Sequence, residues 1–189
     1  KSKDSTVPVQ VKNLTGIIDI AGGGTHSIAL KSDGTVWAWG MGGSGQLGNG
    51  TTSSRSPRET PVQVKNLTDV IAVAGGYGHT IALKNDGTVW TWGRNDNGQL
   101  GNGTTASSKT PVQVKNLTDV IAVAGGWWHS IALKSDGTVW TWGKNGRGQL
   151  GNGKSKDSTV PVQVKNLTGI IGISGGSSHT VALNKNGVV

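Results

Sequence analysis

The chain contains no cysteine. Disulfides and thiolate metal sites are therefore excluded as what holds it together. No stretch approaches the roughly 20 consecutive apolar residues of a membrane helix, so no membrane insertion is expected. Long aliphatic runs are scarce and 32 of the 189 residues are glycine, which argues against helices. Nothing at the N-terminus reads as a signal segment, but Lys1 already falls inside a repeat, and the compartment stays open. Acids are few: 10 against 18 bases, for a net charge of +8.

What the chain does have is one message written four times. The block PVQVKNLT begins at Pro8, Pro61, Pro111 and Pro161, with spacings of 53, 50 and 50 residues. Each copy leads to a Gly-Gly doublet, a histidine (His26, His79, His129, His179), an Ala-Leu segment and then GTVWxWG; the last copy stops at Val189. A period near 50 marks a repeat architecture. The units run approximately 1–60, 61–110, 111–160 and 161–189, and together they read as a single domain, 1–189.

Each unit predicts four short strands. In the second, residues 69–74 (DVIAVA) form the first strand, and 79–83 (HTIAL) the second. Asn85-Asp86-Gly87 is a hairpin turn, because Asp-Gly tolerates the positive φ such turns demand. Residues 88–92 (TVWTW) form the third strand and 111–114 (PVQV) the fourth, with proline at a strand start. The third strand sends Trp90 and Trp92 to one face and Val89 and Thr91 to the other, and neither face is charged. Such a sheet needs cover on both sides, which stacking between two copies of itself provides. The fold class predicted is all-β: a β-propeller of four-stranded antiparallel blades, about four blades' worth per chain. Trp37, Trp39, Trp90, Trp92, Trp140 and Trp142 occupy the two tryptophan slots and are expected to dominate the inter-blade core.

The run AxAGGxxHxxALKxDGTVWxWGxNxxGQLGNG resembles the repeats of the regulator of chromosome condensation family and of its bacterial propeller relatives, over the whole chain. The resemblance implies a seven-bladed propeller of roughly 50-residue blades. Here there are about three and three-quarter units. The chain opens on a fourth strand (residues 7–11) and stops within a third. The opening strand is expected to close the last blade, within one chain or between two, giving a partial ring or half of an oligomeric ring.

The copies disagree at three places. The pair after Gly-Gly reads Gly24-Thr25, Tyr77-Gly78, Trp127-Trp128 and Ser177-Ser178. The four residues after WG, and the segment after GNG, differ as well. In an up-and-down blade the first-to-second and third-to-fourth connections share one face, so all this variety falls together. The basic surplus falls there too. The near-constant segments hold eight lysines and six aspartates, whereas these loops and the chain start hold ten bases against four acids. Among those bases are Lys1, Lys3, Arg55, Arg94, Lys144 and Arg147. Charge gathered in one kind of loop attracts an acidic partner, and aromatics beside arginines are the usual composition of a binding hot spot.

Several motifs invite chemistry and have plainer readings. Residues 148–155 (GQLGNGKS) match a phosphate loop, and 40–45 (GMGGSG) match GxGxxG, but neither is expected to lead into the helix that phosphate binding needs. The four histidines read as core histidines bonded to neighbouring backbone rather than metal ligands. Ser27 and Ser130 follow histidines but face away from them along the strand. Asn13-Leu14-Thr15 and its equivalents are glycosylation sequons that read better as side-chain-bonded turns. Asn95-Asp96-Asn97-Gly98 resembles a calcium loop without its distal glutamate.

The reading is a non-catalytic repeat scaffold that presents diversified loops on one face to a macromolecular partner, first of all a protein with an acidic or mixed surface. The candidate contacts are Tyr77, Trp127 and Trp128, supported by Met41, Arg94, Lys144 and Arg147. No cofactor and no metal is expected. Two other classes stay open: a structural protein that self-assembles into a ring or filament, and a glycan binder with Trp127 and Trp128 stacked on sugars. Nucleotide exchange on a small GTPase, which the resemblance also implies, ranks below these. Nucleic acid is not expected, since no aromatic–basic stripe demands it. Near-identical units suit a bacterial protein, secreted or at the cell surface rather than cytoplasmic.

Overall fold

A computed structural model describes residues 5–189. Lys1, Lys3 and Asp4, counted above among the loop charges, lie outside the described residues, as does the side chain of Arg55. Three four-stranded antiparallel sheets follow one another and a two-stranded sheet ends the chain. The first sheet holds β1 (Ile17–Gly22), β2 (His26–Lys31), β3 (Val36–Gly42) and β4 (Ser53–Gln63). The second holds β5 (Val70–Gly75), β6 (His79–Lys84), β7 (Val89–Gly93) and β8 (Ser108–Gln113). The third holds β9 (Val120–Gly125), β10 (His129–Lys134), β11 (Val139–Gly143) and β12 (Ser158–Gln163), and the last β13 (Ile170–Gly175) and β14 (Thr180–Asn184). Strands pair in chain order, so each unit is a meander. β4 is longer than its equivalents, 11 residues against 6, in the unit that carries three extra residues.

The turns follow from local chemistry. Gly34, Gly87 and Gly137 each take φ +77° at the second-to-third-strand hairpin. Before each, an aspartate (Asp33, Asp86, Asp136) accepts hydrogen bonds from the hydroxyl and the backbone N–H of the threonine two residues on. Those bonds, the hydroxyl's first, hold the three carboxyls below their ordinary value. The NLT turns differ from expectation. Asn13, Asn66, Asn116 and Asn166 take φ between +53° and +57°. Asparagine is there because it tolerates the left-handed region, not to bond the turn with its side chain. In the second and third units the threonine hydroxyl goes instead to Asp69 and Asp119.

The core lies between sheets. Ile28, Leu30 and Val36 of the first sheet pack on Val73, Ala82 and Trp92 of the second. The second and third meet in the same way, through Ile81, Leu83 and Val89 against Ala132 and Trp142. In both of these joints an aliphatic face meets an alanine–tryptophan face. Only one tryptophan slot is fully buried, in Trp92 and Trp142. Trp37, Trp90 and Trp140 are partly buried and donate from Nε1 to the hairpin threonines at 3.1–3.3 Å. Trp90 and Trp140 pack against the edge of the inter-blade core, whose centre holds Trp92 and Trp142. Trp39 is half-exposed because its sheet face has no neighbour.

Two further expectations fail at the ends. Residues 7–11 form no strand, and Val7 and Val9 are exposed. The last sheet stops at two strands, with only the Asn184 N–H to Val188 carbonyl bond (2.9 Å) beginning the third. Closure of the last blade by the opening strand does not occur within the chain, because the third-strand edge it needs is not formed.

Candidate functional site: an aromatic and arginine cluster on the loop face

The two kinds of diversified loop are stitched together by main-chain bonds. The residue after each WG donates its N–H to the second residue of the variable pair: Met41 to Thr25 (2.9 Å), Arg94 to Gly78 (2.8 Å) and Lys144 to Trp128 (2.9 Å). Neighbouring units are joined there too, by Gly24 N–H to Gly76 (3.0 Å) and Tyr77 N–H to Trp127 (3.0 Å). Tyr77 lies over Gly24, where a side chain would strike the ring at 2.6 Å.

Four of the seven candidate residues meet. The Tyr77 ring is 5.5 Å from that of Trp127 and 4.9 Å from that of Trp128. The Arg94 guanidinium stacks on Trp128 at 4.6 Å and bonds through Nε to Asp96. Stacking on aromatics suits the planar, weakly hydrated guanidinium. Trp127 is the outermost ring, at 50% exposure, while Tyr77 and Trp128 are half-buried. Lys144 joins only through its main chain. Met41, exposed, stands in the first unit beside Thr25, and Arg147, also exposed, edges a groove of about 240 Å³ with Ser178 and His179. Neither touches the cluster.

Asn95, in the calcium-like segment, is buried. Its Nδ2 donates to the carbonyls of Thr104 (3.0 Å) and Ala106 (2.9 Å), and its Oδ1 accepts from Leu100 N–H (2.9 Å). Asn145 repeats these bonds in the third unit. The segment is a loop staple. The phosphate-loop match at 148–155 leads into β12 and no helix.

The histidines are not bonded to backbone, as the sequence suggested, but to hydroxyls of the next blade. Nε2 of His26 meets Thr80 (2.8 Å), that of His79 meets Ser130 (2.9 Å) and that of His129 meets Thr180 (3.1 Å). Each hydroxyl gives its one proton to a glutamine carbonyl of the preceding blade: Thr80 to Gln46, Ser130 to Gln99, Thr180 to Gln149. The hydroxyl therefore accepts from Nε2–H, which fixes the tautomer and leaves Nδ1 bare. Nδ1 of all three rings is buried without a partner. The Gln46 and Gln99 carbonyls also receive Trp92 and Trp142 Nε1–H. His79 and Ser130 have the spacing of a catalytic pair, but the wiring runs the wrong way: the imidazole donates, so the serine is not activated. Burial pushes His26 and His129 down to about 4 and His79 to about 3, the last helped by its two histidine neighbours. Sequence spacing hides this joint because its partners are 51 to 54 residues apart.

One side chain is missing from the pattern. Gln46 Nε2 donates to Thr25 (3.3 Å), but Gly78 and Trp128 stand where Thr25 would recur, and Nε2 of Gln99 and Gln149 is buried without a partner. A Cβ on Gly78 meets nothing nearer than Arg94 at 3.6 Å. Gly78→Thr is expected to stabilise the chain by about 1 kcal/mol, by satisfying Gln99 and stiffening the unfolded chain. Urea unfolding checks this; an unchanged midpoint rejects it.

The sequence profile of the RCC1-like domain matches residues 1–189. E3 ubiquitin-protein ligase HERC2 of Homo sapiens is 42% identical over 102 residues, 52% of this chain but 2% of that protein. The Ultraviolet-B receptor UVR8 of Arabidopsis thaliana is 38% identical over 105 residues, 53% of this chain and 23% of its own length. The crystal structure of Prp20p from Saccharomyces cerevisiae superposes with a TM-score of 0.80 at 25% identity, over 90% of this chain and 44% of that one. Human WBSCR16 does so with a TM-score of 0.79 at 28% identity, over 89% and 44%. This chain thus spans less than half of each of these proteins. They are eukaryotic and lend no support to the bacterial origin expected above. With the profile running from the first residue to the last and the blades arranged as in those solved structures, the chain belongs to the RCC1-like domain family.

Proposed function

We propose that the chain is a non-catalytic scaffold that binds a protein partner through its loop face, with Trp127 as the exposed anchor and Arg94 as the charged contact. The observation that carries this reading is the preassembled cluster of Tyr77, Trp127, Trp128 and Arg94. Its rings and its cation are ordered before any partner arrives, which lowers the entropic cost of binding. Protein partners are known for its neighbours: Prp20p for its binding to Gsp1p and histones, and yeast RCC1 (Prp20) in complex with Kap60. The surrounding Lys144 and Arg147 favour a partner with an acidic or mixed surface. Ligase and receptor are named roles of longer relatives, HERC2 and UVR8.

The test is crosslinking with mass spectrometry on the wild-type chain and on Trp127→Ala and Arg94→Glu. Each variant is expected to keep its melting temperature within about 2 °C, since Trp127 is half-exposed and Arg94 lies at the surface. Each is expected to lose the same partner by tenfold or more, as hot-spot truncations do. Retention of that partner by both variants rejects the loop face. A glycan array that responds to Trp127 and not to Arg94 would favour a sugar instead.

A further inference from the structure

The cluster across the joint of the second and third units offers hydrogen-bond donors and almost no acceptors. We propose that it receives from the partner the carboxylate of an aspartate or glutamate flanked by an apolar side chain, a proposal that rests on the loop face being the binding surface.

The tryptophans of the sheets mostly have their ring N–H taken. Trp92 and Trp142 give it to glutamine carbonyls, and Trp37, Trp90 and Trp140 give it to hairpin threonines. Trp127 and Trp128 donate to nothing among the described residues, and the Tyr77 hydroxyl has no partner among them. None of these three atoms is closed off from solvent. The Arg94 guanidinium lies on Trp128 and uses only Nε on Asp96, so the N–H groups of both terminal nitrogens stay free. A carboxylate accepts two parallel bonds from a guanidinium edge. An apolar neighbour in the partner then covers Trp127, which is 50% exposed.

The repeats produce this arrangement once. The residue after WG in one unit faces the second residue of the variable pair in the next: Met41 with Gly78, Arg94 with Trp128, Lys144 with Ser178. Only the middle set joins a planar cation to a ring. The Arg94 stem crosses the bare Gly78, where an added Cβ would lie 3.6 Å from its Cβ and 3.8 Å from its Cδ. The second and third units are each packed between two neighbours, so no residue of the cluster lies on an open blade face. Four units therefore make one site per chain.

Asp96 selects among anions. Its charge lies against the guanidinium and opposes any second anion, and a dianionic phosphate meets twice the repulsion of a singly charged carboxylate. A lysine of a basic partner would find only donors and the Arg94 charge, which excludes it.

The experiment uses short capped peptides that differ only in the residue before a leucine: glutamate, glutamine or lysine. Each is titrated at low salt into the isotope-labelled wild-type chain while the indole N–H resonances are followed. The glutamate peptide is expected to shift the Trp127 and Trp128 signals, leave those of Trp92 and Trp142 in place, and saturate at one peptide per chain. The glutamine and lysine peptides are expected to bind about tenfold or more weakly. Arg94→Gln is expected to abolish the preference for glutamate over glutamine. Asp96→Asn keeps an oxygen for Arg94 Nε but lifts the opposing charge, so it is expected to tighten the glutamate peptide about threefold at low salt. Both variants alter surface side chains and are expected to keep the wild-type melting temperature. Equal binding of the glutamate and glutamine peptides overturns the proposal, as does silence towards all three. So does inorganic phosphate that shifts the same signals at the same concentration, which means a bare anion site. If any of these occurs while Trp127→Ala and Arg94→Glu still lose their crosslinked partner, the loop face stands and only the carboxylate falls; a partner retained by both variants removes the loop face itself.

Discussion

Lowering the pH from 7 to 4 is expected to remove most of the stability of this fold. His26, His79 and His129 are neutral in the native chain, with values held at about 4, 3 and 4 by burial, against 6.5 when exposed. Above pH 6.5 both states are neutral and nothing depends on pH. Below it the unfolded chain takes up protons that the native chain refuses. Stability is therefore fully present above 6.5 and is lost as pH falls through the window down to 4 or 3. Each histidine costs about 1.4 kcal/mol per pH unit within that window. Three of them together cost on the order of 10 kcal/mol by pH 4, most of the roughly 5–15 kcal/mol of an ordinary domain. The hairpin aspartates act in a lower window: their native values are depressed, so their contribution is lost only as pH falls below the ordinary carboxylate value. The check is urea unfolding at half-unit steps from pH 7.5 to 4.5. His79→Gln keeps a donor for Ser130 but cannot titrate, so it should reduce the slope between pH 6 and 5 by about a third, whatever it does to the baseline. An unchanged slope would show that the buried rings are not the cause.

What could be read from the residues, and what could not, divides by distance along the chain. The period, the Asp-Gly hairpins and the order of strands are local, and they appear where the repeats place them. So does the shared side of the two variable loops, because up-and-down strands leave no choice; Arg94 lying on Trp128 is the physical form of that rule. The histidine joint was out of reach. Strand alternation sends Ser130 away from its own His129, which reads as an idle serine. Only the stacking of blades shows that the same alternation delivers it to His79. The bonds of Asn95 are hidden for a related reason: its partners at 104 and 106 lie across a loop whose path no periodicity describes. The tryptophan slots look alike in sequence, yet Trp92 is buried and Trp90 is not. Their difference is set by which ring reaches the neighbouring blade's glutamine carbonyl.

Gly76→Ala is expected to destabilise the chain by about 3 kcal/mol or more, although it adds one methyl to a residue with no unusual φ. The second glycine of the doublet lies flat against the imidazole that follows it. A Cβ at Gly76 would overlap the His79 ring, and it would come within 2.8 Å of the Gly126 carbonyl in the next blade. Neither neighbour can yield. The ring is pinned at Nε2 by Ser130, and the carbonyl belongs to the backbone just past the end of β9. Gly23, Gly126 and Gly176 press on His26, His129 and His179 in the same way, so the Gly-Gly…His spacing is one packing unit. Gly78→Ala, two residues along and with only an ordinary contact to Arg94 at 3.6 Å, serves as the control and should not destabilise the chain. The cause is separable by a double-mutant cycle with His79→Ala. If the imidazole is the obstacle, Gly76→Ala costs less once the ring is gone, and the remainder belongs to the Gly126 carbonyl. Equal costs in both backgrounds would place the whole penalty on the carbonyl and leave the histidine without a part in selecting glycine.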